Sequence, residues 1–148
     1  MAEHLLYWIL IGLLIAATIS DLRERLIYDR FILIGLVSAI IIRFFHHPEP
    51  WWNYLLTGVI VLIILTIIAA LTNERSIGGG DVKLFAMIGF AVGWEAFFWI
   101  FLLSHVLAAI FMLALKFFRW SKIGRHSEFP FAPFILAGTV LIYSQFWI

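Results

Sequence analysis

The sequence predicts an all-α polytopic membrane protein, with six transmembrane helices, the fourth of them short, and both termini outside. Three observations carry that prediction. Hydrophobic residues make up 64% of the chain and charged residues only 13%, against about half and a quarter in a soluble domain. A soluble chain of 148 residues is too small to hide so much apolar surface, whereas a polytopic protein turns it toward lipid. The apolar residues fall into long runs, and the Lys and Arg residues gather in alternate loops between them. The length makes a single domain, 1–148, the natural expectation.

A membrane span needs roughly 20 mainly apolar residues. The first run covers about 5–20 and the second about 31–45; both are short and extend into their flanks. The N-terminus does not read as a signal peptide, because Glu3 and His4 precede the first run where a basic segment would stand. The third run, about 54–72, is rich in Ile, Leu and Val. The fourth, about 82–94, is too short to cross perpendicular to the bilayer. It is either buried among the other helices or extended N-terminally by part of a glycine loop. The fifth covers about 96–118 and the sixth about 131–148.

Cytoplasmic loops carry the excess of basic residues. With six spans, Arg23, Arg25, Arg30, Arg75, Lys83, Lys116, Arg119, Lys122 and Arg125 share one side, and Arg43 stands alone on the other. Loops 21–30, 73–83 and 116–129 are therefore cytoplasmic. If the fourth segment did not cross, loop 116–129 would carry its basic residues outside, against the rule. Trp51, Trp52 and Tyr54 fit an outer aromatic belt. His46 and His47 lie in the outer loop with no further ligand nearby, and read as ordinary loop residues.

The chemistry concentrates in Ser76-Ile77-Gly78-Gly79-Gly80-Asp81-Val82-Lys83-Leu84. An ionisable residue at membrane depth is a candidate functional group. The topology brings Asp21, at the end of the first helix, to the same face as Asp81, at the start of the fourth. Two facing carboxyls can share one proton, one serving as general base toward water and the other as general acid toward a carbonyl. Gly78, Gly79 and Gly80 permit positive φ and close approach of another backbone, such as a substrate's. A flexible hinge that caps the fourth helix explains the glycines equally well. A phosphate loop does not, since Gly-Asp-Val-Lys stands where Gly-Lys-Ser/Thr is needed. The absence of cysteine excludes disulfides, zinc ribbons and thiol catalysis.

Gly78-Gly79-Gly80-Asp81-Val82-Lys83-Leu84, followed by Ala86, Gly89 and Gly93, resembles the GxGD signature of the type IV prepilin peptidases, which are intramembrane aspartic peptidases. Asp21-Leu22-Arg23 followed by Leu26-Ile27-Tyr28-Asp29 resembles that family's first aspartate motif, with Tyr28 where the family usually has proline. Phe129-Pro130-Phe131-Ala132-Pro133-Phe134 resembles its late Pro-Phe-x-Pro-Phe motif. The resemblance spans nearly the whole chain and is that of a short form. The N-terminal domain with paired CxxC motifs is not in the sequence, so no N-methyltransferase activity is expected.

The resemblance implies an aspartic endopeptidase that removes the leader of type IV prepilin-like, flagellin-like or pseudopilin-like precursors at the cytoplasmic boundary of a prokaryotic cell membrane. It implies Asp21 and Asp81 as the catalytic pair, without metal or cofactor. Gly78, Gly79, Gly80 and Lys83 would shape the substrate loop, and Asp29, Pro130 and Pro133 would stand behind the pair. The expected partners are a prepilin-like membrane substrate and lipid, with no nucleic acid; the oligomeric state is left open. Asp29 has the plainer reading of an N-cap, Lys83 that of a residue snorkelling to headgroups, and Pro130 and Pro133 that of a helix start. Glu24, Glu74 and Glu128 are candidates to dock a basic leader, with solvated loop charges as the bland alternative. His105 reads as a hydrogen-bonded helix residue. Gly89 and Gly93 read as a small-xxx-small pair that brings the fourth helix against the first, and Gly35 and Gly58 serve similarly. Helix position places the dyad's proton on Asp21, because the macrodipole favours charge at the N-terminal Asp81. The competing functions are a small proton- or ion-coupled carrier using the two aspartates, and a scaffold subunit of a secretion machine.

Overall fold

A computed structural model describes residues 1–73, 77–118 and 130–147. The described residues form six helices and no strand: α1 Ala2–Glu24, α2 Asp29–Phe45, α3 Trp51–Leu71, α4 Gly79–Val92, α5 Trp94–Phe117 and α6 Ala132–Trp147. The loop residues Glu74, Arg75, Arg119, Trp120, Lys122, Arg125 and Glu128 lie outside the described residues.

Three helices, α1, α3 and α5, are long and apolar enough to cross a membrane; α6 is a shorter apolar helix. Their outward faces are apolar. α3 exposes Leu55, Val59, Ile63 and Ile67, spaced as one helical stripe. An apolar surface on that scale is what lipid covers.

The short fourth helix sits at the centre. At about 1.5 Å per residue α4 is roughly 21 Å long, well short of the ~30 Å hydrocarbon core. Length matters less here, because α4 is wrapped by protein. Val82, Leu84, Phe85, Met87, Ile88 and Ala91 are all buried, and α4 packs on α2, α3 and α5. A helix that is apolar all round belongs in such a place. α6 closes the bundle against α1 and α5. α1 contributes the buried stripe Leu6, Leu10, Leu14 and Ala17.

Glycines set how closely α4 is held. A Cβ at Gly35 of α2 would overlap the Met87 sulfur, and one at Gly58 of α3 would lie 2.9 Å from Phe90 Cβ. Both neighbours thus press on α4 where a side chain is missing. The expected pairing of Gly89 and Gly93 against α1 is not what forms. Gly89 faces Thr57 of α3, whose Cγ2 would lie 3.2 Å from an added Cβ. Gly93 is the turn between α4 and α5, with φ of 86°.

The solitary Arg43 is not a loop charge. It is 1% exposed and pairs through Nη1 and Nη2 with the buried Glu3 carboxylate, the second contact at 3.1 Å. Its Nε donates to the Ala91 carbonyl at 2.8 Å, and its guanidinium lies 4.4 Å above the Tyr54 ring. One side chain of α2 thereby ties α1, α3 and α4 together. Tyr54 is buried under this cation and takes no place in an aromatic belt, whereas Trp52 is exposed. His46 Nε2 lies 3.5 Å from the same Glu3 carboxylate.

Candidate active site

Asp21 stands one turn before the end of α1, and Asp81 is the third residue of α4. Glu3 and Arg43 hold the opposite end of the bundle, roughly 27 Å away along α1 at about 1.5 Å per residue. The two aspartates are brought together: Asp21 is buried, Asp81 is half-buried with its Oδ1 covered, and the two lie within electrostatic reach of one another.

The local sequence explains the approach. α1 stops at Arg25, which adopts the left-handed conformation and donates its N–H to the Asp21 carbonyl at 2.9 Å. Ser20 Oγ donates to the Leu26 carbonyl and folds the chain back. That turn lays Ile27 on Gly80, where an added Cβ would sit 3.1 Å from Ile27 Cβ. Gly80 is therefore small for close approach, but the approaching group is this chain's own α1–α2 turn. Positive φ is not used: Gly78, the N-cap of α4, has φ of −77° and is extended. Gly79 opens the helix as its first residue. A Cβ on Gly78 would meet the Asp81 Oδ2 at 3.7 Å, an ordinary contact, so space beside that oxygen does not require the glycine.

Tyr28, in the usual position of proline, has φ of −71° and ψ of 135°. Those are angles that proline itself adopts, so the turn keeps its shape without the ring. The Tyr28 hydroxyl donates to the Glu24 carboxylate. Tyr28, not Asp29, is the N-cap of α2, and it makes no side-chain cap. Asp29 instead accepts from Lys83 Nζ at 2.9 Å, with both side chains exposed. Lys83 thus turns away from the aspartate pair and joins the starts of α2 and α4.

Asp21 Oδ2 accepts the Ala132 N–H at 3.2 Å. Ala132 is the first residue of α6, between Pro130 and Pro133, so the late proline segment does meet the first aspartate. Sequence reasoning missed the backbone amide because only the prolines and phenylalanines draw the eye. Asp81 Oδ1 and Thr18 Oγ1 are buried with no hydrogen-bond partner among the described residues. Thr18, three residues before Asp21, shares its face of α1. Beyond Asp81, Phe85 stacks on His105 at 5.9 Å and meets Phe131 at 6.0 Å. His105 Nδ1 bonds the Phe101 carbonyl at 2.8 Å, which satisfies it within its own helix.

Two carboxyls that share a site, one buried and one half-buried with an unpartnered oxygen, can together take a proton from water and give one to a carbonyl. A profile of the type IV leader peptidase family matches residues 8–113. The prepilin leader peptidase/N-methyltransferase of Bacillus subtilis is 32% identical over 135 residues, covering 91% of this chain and 53% of the relative. That of Aeromonas salmonicida is 27% identical over 147 residues, covering 96% and 48%. That of Pseudomonas putida is 28% identical over 134 residues, covering 87% and 46%. The chain spans about half the length of these relatives. No solved structure matches it.

Proposed function

The chain belongs to the type IV leader peptidase family, and from that premise we propose that it is an aspartic endopeptidase of the cell membrane, with Asp21 and Asp81 as its catalytic pair. Its substrate is the leader of a prepilin-like precursor, cut where the leader meets the membrane helix. The whole of 1–148 acts as one peptidase domain with six spans and both termini outside, and the Asp21–Asp81 end faces the cytoplasm. The observation that carries the reading is the convergence of the buried Asp21 and the half-buried Asp81, with the covered Asp81 Oδ1 left without a hydrogen-bond partner among the described residues.

The hydrogen bonds support a placing of the proton opposite to the one made from helix position. The macrodipole returns only about 0.3–1 kcal/mol for a charge at the start of α4. A buried carboxylate with an oxygen facing no donor forfeits more than that, since a buried polar group alone costs about 1–3 kcal/mol and a charge more. Asp21 has the Ala132 amide to accept from. We therefore place the proton on Asp81 and the charge on Asp21. In the reaction Asp21 takes a proton from water as its oxygen attacks the scissile carbonyl carbon. Asp81 gives its proton to the carbonyl oxygen. The tetrahedral diol then collapses, the C–N bond breaks, and the leaving nitrogen takes the proton held by Asp21. Asp81 recovers its own from the diol hydroxyl, which closes the cycle.

The test is cleavage of a prepilin-like substrate in liposomes by the unmodified chain, Asp21→Asn, Asp81→Asn and Asp29→Asn. Loss of a general acid or base costs roughly 10²- to 10⁴-fold, so both dyad variants fall by at least that and Asp29→Asn keeps its rate. Cleavage surviving in both dyad variants ends the peptidase reading and returns the carrier to the front. Loss with Asp29→Asn in place of Asp21→Asn moves the first aspartate.

A further inference from the structure

The start of α6 carries an arrangement that a helix start alone does not require. The first four N–H groups of a helix have no partner within it. In α6, Pro133 has no N–H to offer. Phe134 and Ile135 both turn theirs onto the Phe131 carbonyl, at 3.0 and 3.3 Å. The Ala132 N–H is the described first-turn amide that leaves the helix, and it goes to Asp21 Oδ2 across 111 residues of sequence. Ala132 is fully buried, so the amide is delivered in a dry site, where a hydrogen bond counts for more. Its direction is fixed from outside. The Phe131 ring packs on His105 at 4.9 Å and on Phe85 at 6.0 Å. Phe85 lies one turn along α4 from Asp81. The same aromatic cluster therefore ties the start of α6 to the helix that carries the second aspartate.

We propose that the Pro130–Pro133 segment is a positioning device for the dyad: it delivers the Ala132 N–H to the Asp21 carboxyl and holds that carboxyl in register with Asp81. The two prolines remove competing donors, and the phenylalanine anchors the turn to α4 and α5. Ala132 is the small residue that lets the backbone come within bonding distance. This rests on the peptidase reading above and adds to it a residue that acts through Asp21 and through its backbone alone.

The test removes that one N–H from the full-length protein in liposomes. Ala132 is replaced with the corresponding α-hydroxy acid, which changes the amide to an ester and keeps the methyl group. Ala132→Pro also removes the donor by ordinary mutagenesis, at a helix position that accepts proline, but sets its ring Cδ where the hydrogen stood, so the ester is the deciding variant. Cleavage of a prepilin-like peptide is followed with kcat and KM determined separately. The Asp21 carboxyl band is followed by isotope-edited infrared spectroscopy. The expected result is a fall in kcat of roughly 10- to 100-fold, the range for a hydrogen bond to a charged group, with KM unchanged and a shifted Asp21 band. Ala132→Gly, which keeps the N–H, retains the band and most of the rate. An ester variant with unchanged kcat and an unmoved band overturns the proposal, and so does one that loses stability alone. If Asp21→Asn is inactive while the ester is fully active, the positioning idea fails and the peptidase reading stands. If Asp21→Asn still cleaves, the reading itself fails.

Discussion

The two ends of this bundle each bury a carboxyl on a helix terminus, and they treat it in opposite ways. At one end Glu3 meets the Arg43 guanidinium through both oxygens, and Arg43 in turn meets the Ala91 carbonyl and the Tyr54 ring. Those hydrogen bonds offset the cost of burial, and four helices gain a common anchor. At the other end Asp81 sits beside a second carboxyl, with a covered oxygen that has no hydrogen-bond partner among the described residues. That arrangement contributes nothing to stability. Buried polar groups normally have partners, so the unpartnered one marks where bonding capacity is kept for something that arrives later. Under the proposed function, the contrast separates a structural charge from a chemical one without reference to sequence position.

The largest effect expected from this contrast is at Asp81. Asp81→Ala abolishes cleavage, a loss of roughly 10²- to 10⁴-fold or more. It leaves resistance to unfolding in detergent unchanged or higher by about 1–2 kcal/mol, since it removes an unsatisfied buried group. A variant that was both inactive and markedly less stable would place Asp81 with the structural charges. Glu3→Gln is the mirror experiment. It leaves a buried guanidinium without its counter-charge and costs about 3–5 kcal/mol of stability, read as a lower midpoint of unfolding. The folded fraction keeps its specific cleavage rate, because Glu3 stands at the far end of α1 from the dyad. Activity lost in proportion beyond the unfolded fraction would mean that the two ends are coupled.

A smaller effect separates packing from both kinds of charge. Gly35→Ala puts a Cβ onto the Met87 sulfur, and overpacking of this kind typically costs about 1–3 kcal/mol. Against the Met87→Ala single variant, adding Gly35→Ala then costs much less, because the shortest contact of the added Cβ is with the flexible end of the Met87 side chain. Stability that stayed low in the double variant would show that the added Cβ is limited by Leu13 of α1, whose Cδ1 lies 3.1 Å from it, and not by Met87 alone.

Much of this was legible in the sequence, and the residues show why the rest was not. The helices follow from apolar runs bounded by charged or glycine-rich loops. The glycine loop gave α4 its start, because a helix can begin at Gly79 once Gly78 is extended. Asp21 and Asp81 were legible because two carboxylates at the ends of apolar runs are costly and stand out. Their contact with Ala132 was not, because a backbone amide carries no residue-specific signal. Arg43 misled for the opposite reason. Its charge read as an exception in the topology, and only the fold shows Glu3 forty residues earlier waiting to neutralise it. Gly93 was given a packing role from its spacing to Gly89, but spacing cannot distinguish a glycine that admits a neighbour from one that supplies a positive φ. Three consecutive glycines likewise suggested room for a substrate, while at Gly80 the space is taken by Ile27.

The smallest effect concerns the third carboxylate at the end that carries Asp21 and Asp81, and it tests whether proximity alone makes a charge important. Asp29 pairs with Lys83 at 2.9 Å, and their side chains are 76% and 51% exposed. Exposed pairs of this kind contribute about 0–1 kcal/mol and weaken further with salt. Asp29→Asn should therefore change stability by less than about 1 kcal/mol, with the difference disappearing at high ionic strength. Lys83→Met should behave alike, and the double variant should equal either single one, since each removes the same bridge. A cleavage rate that followed the bridge, falling equally in both single variants and no further in the double, would show that the pair aligns the starts of α2 and α4 and with them the two aspartates. A rate indifferent to it would confine the chemistry of this end to Asp21 and Asp81, and leave Asp29, like Glu3, a carboxylate whose partner is a cation of this chain.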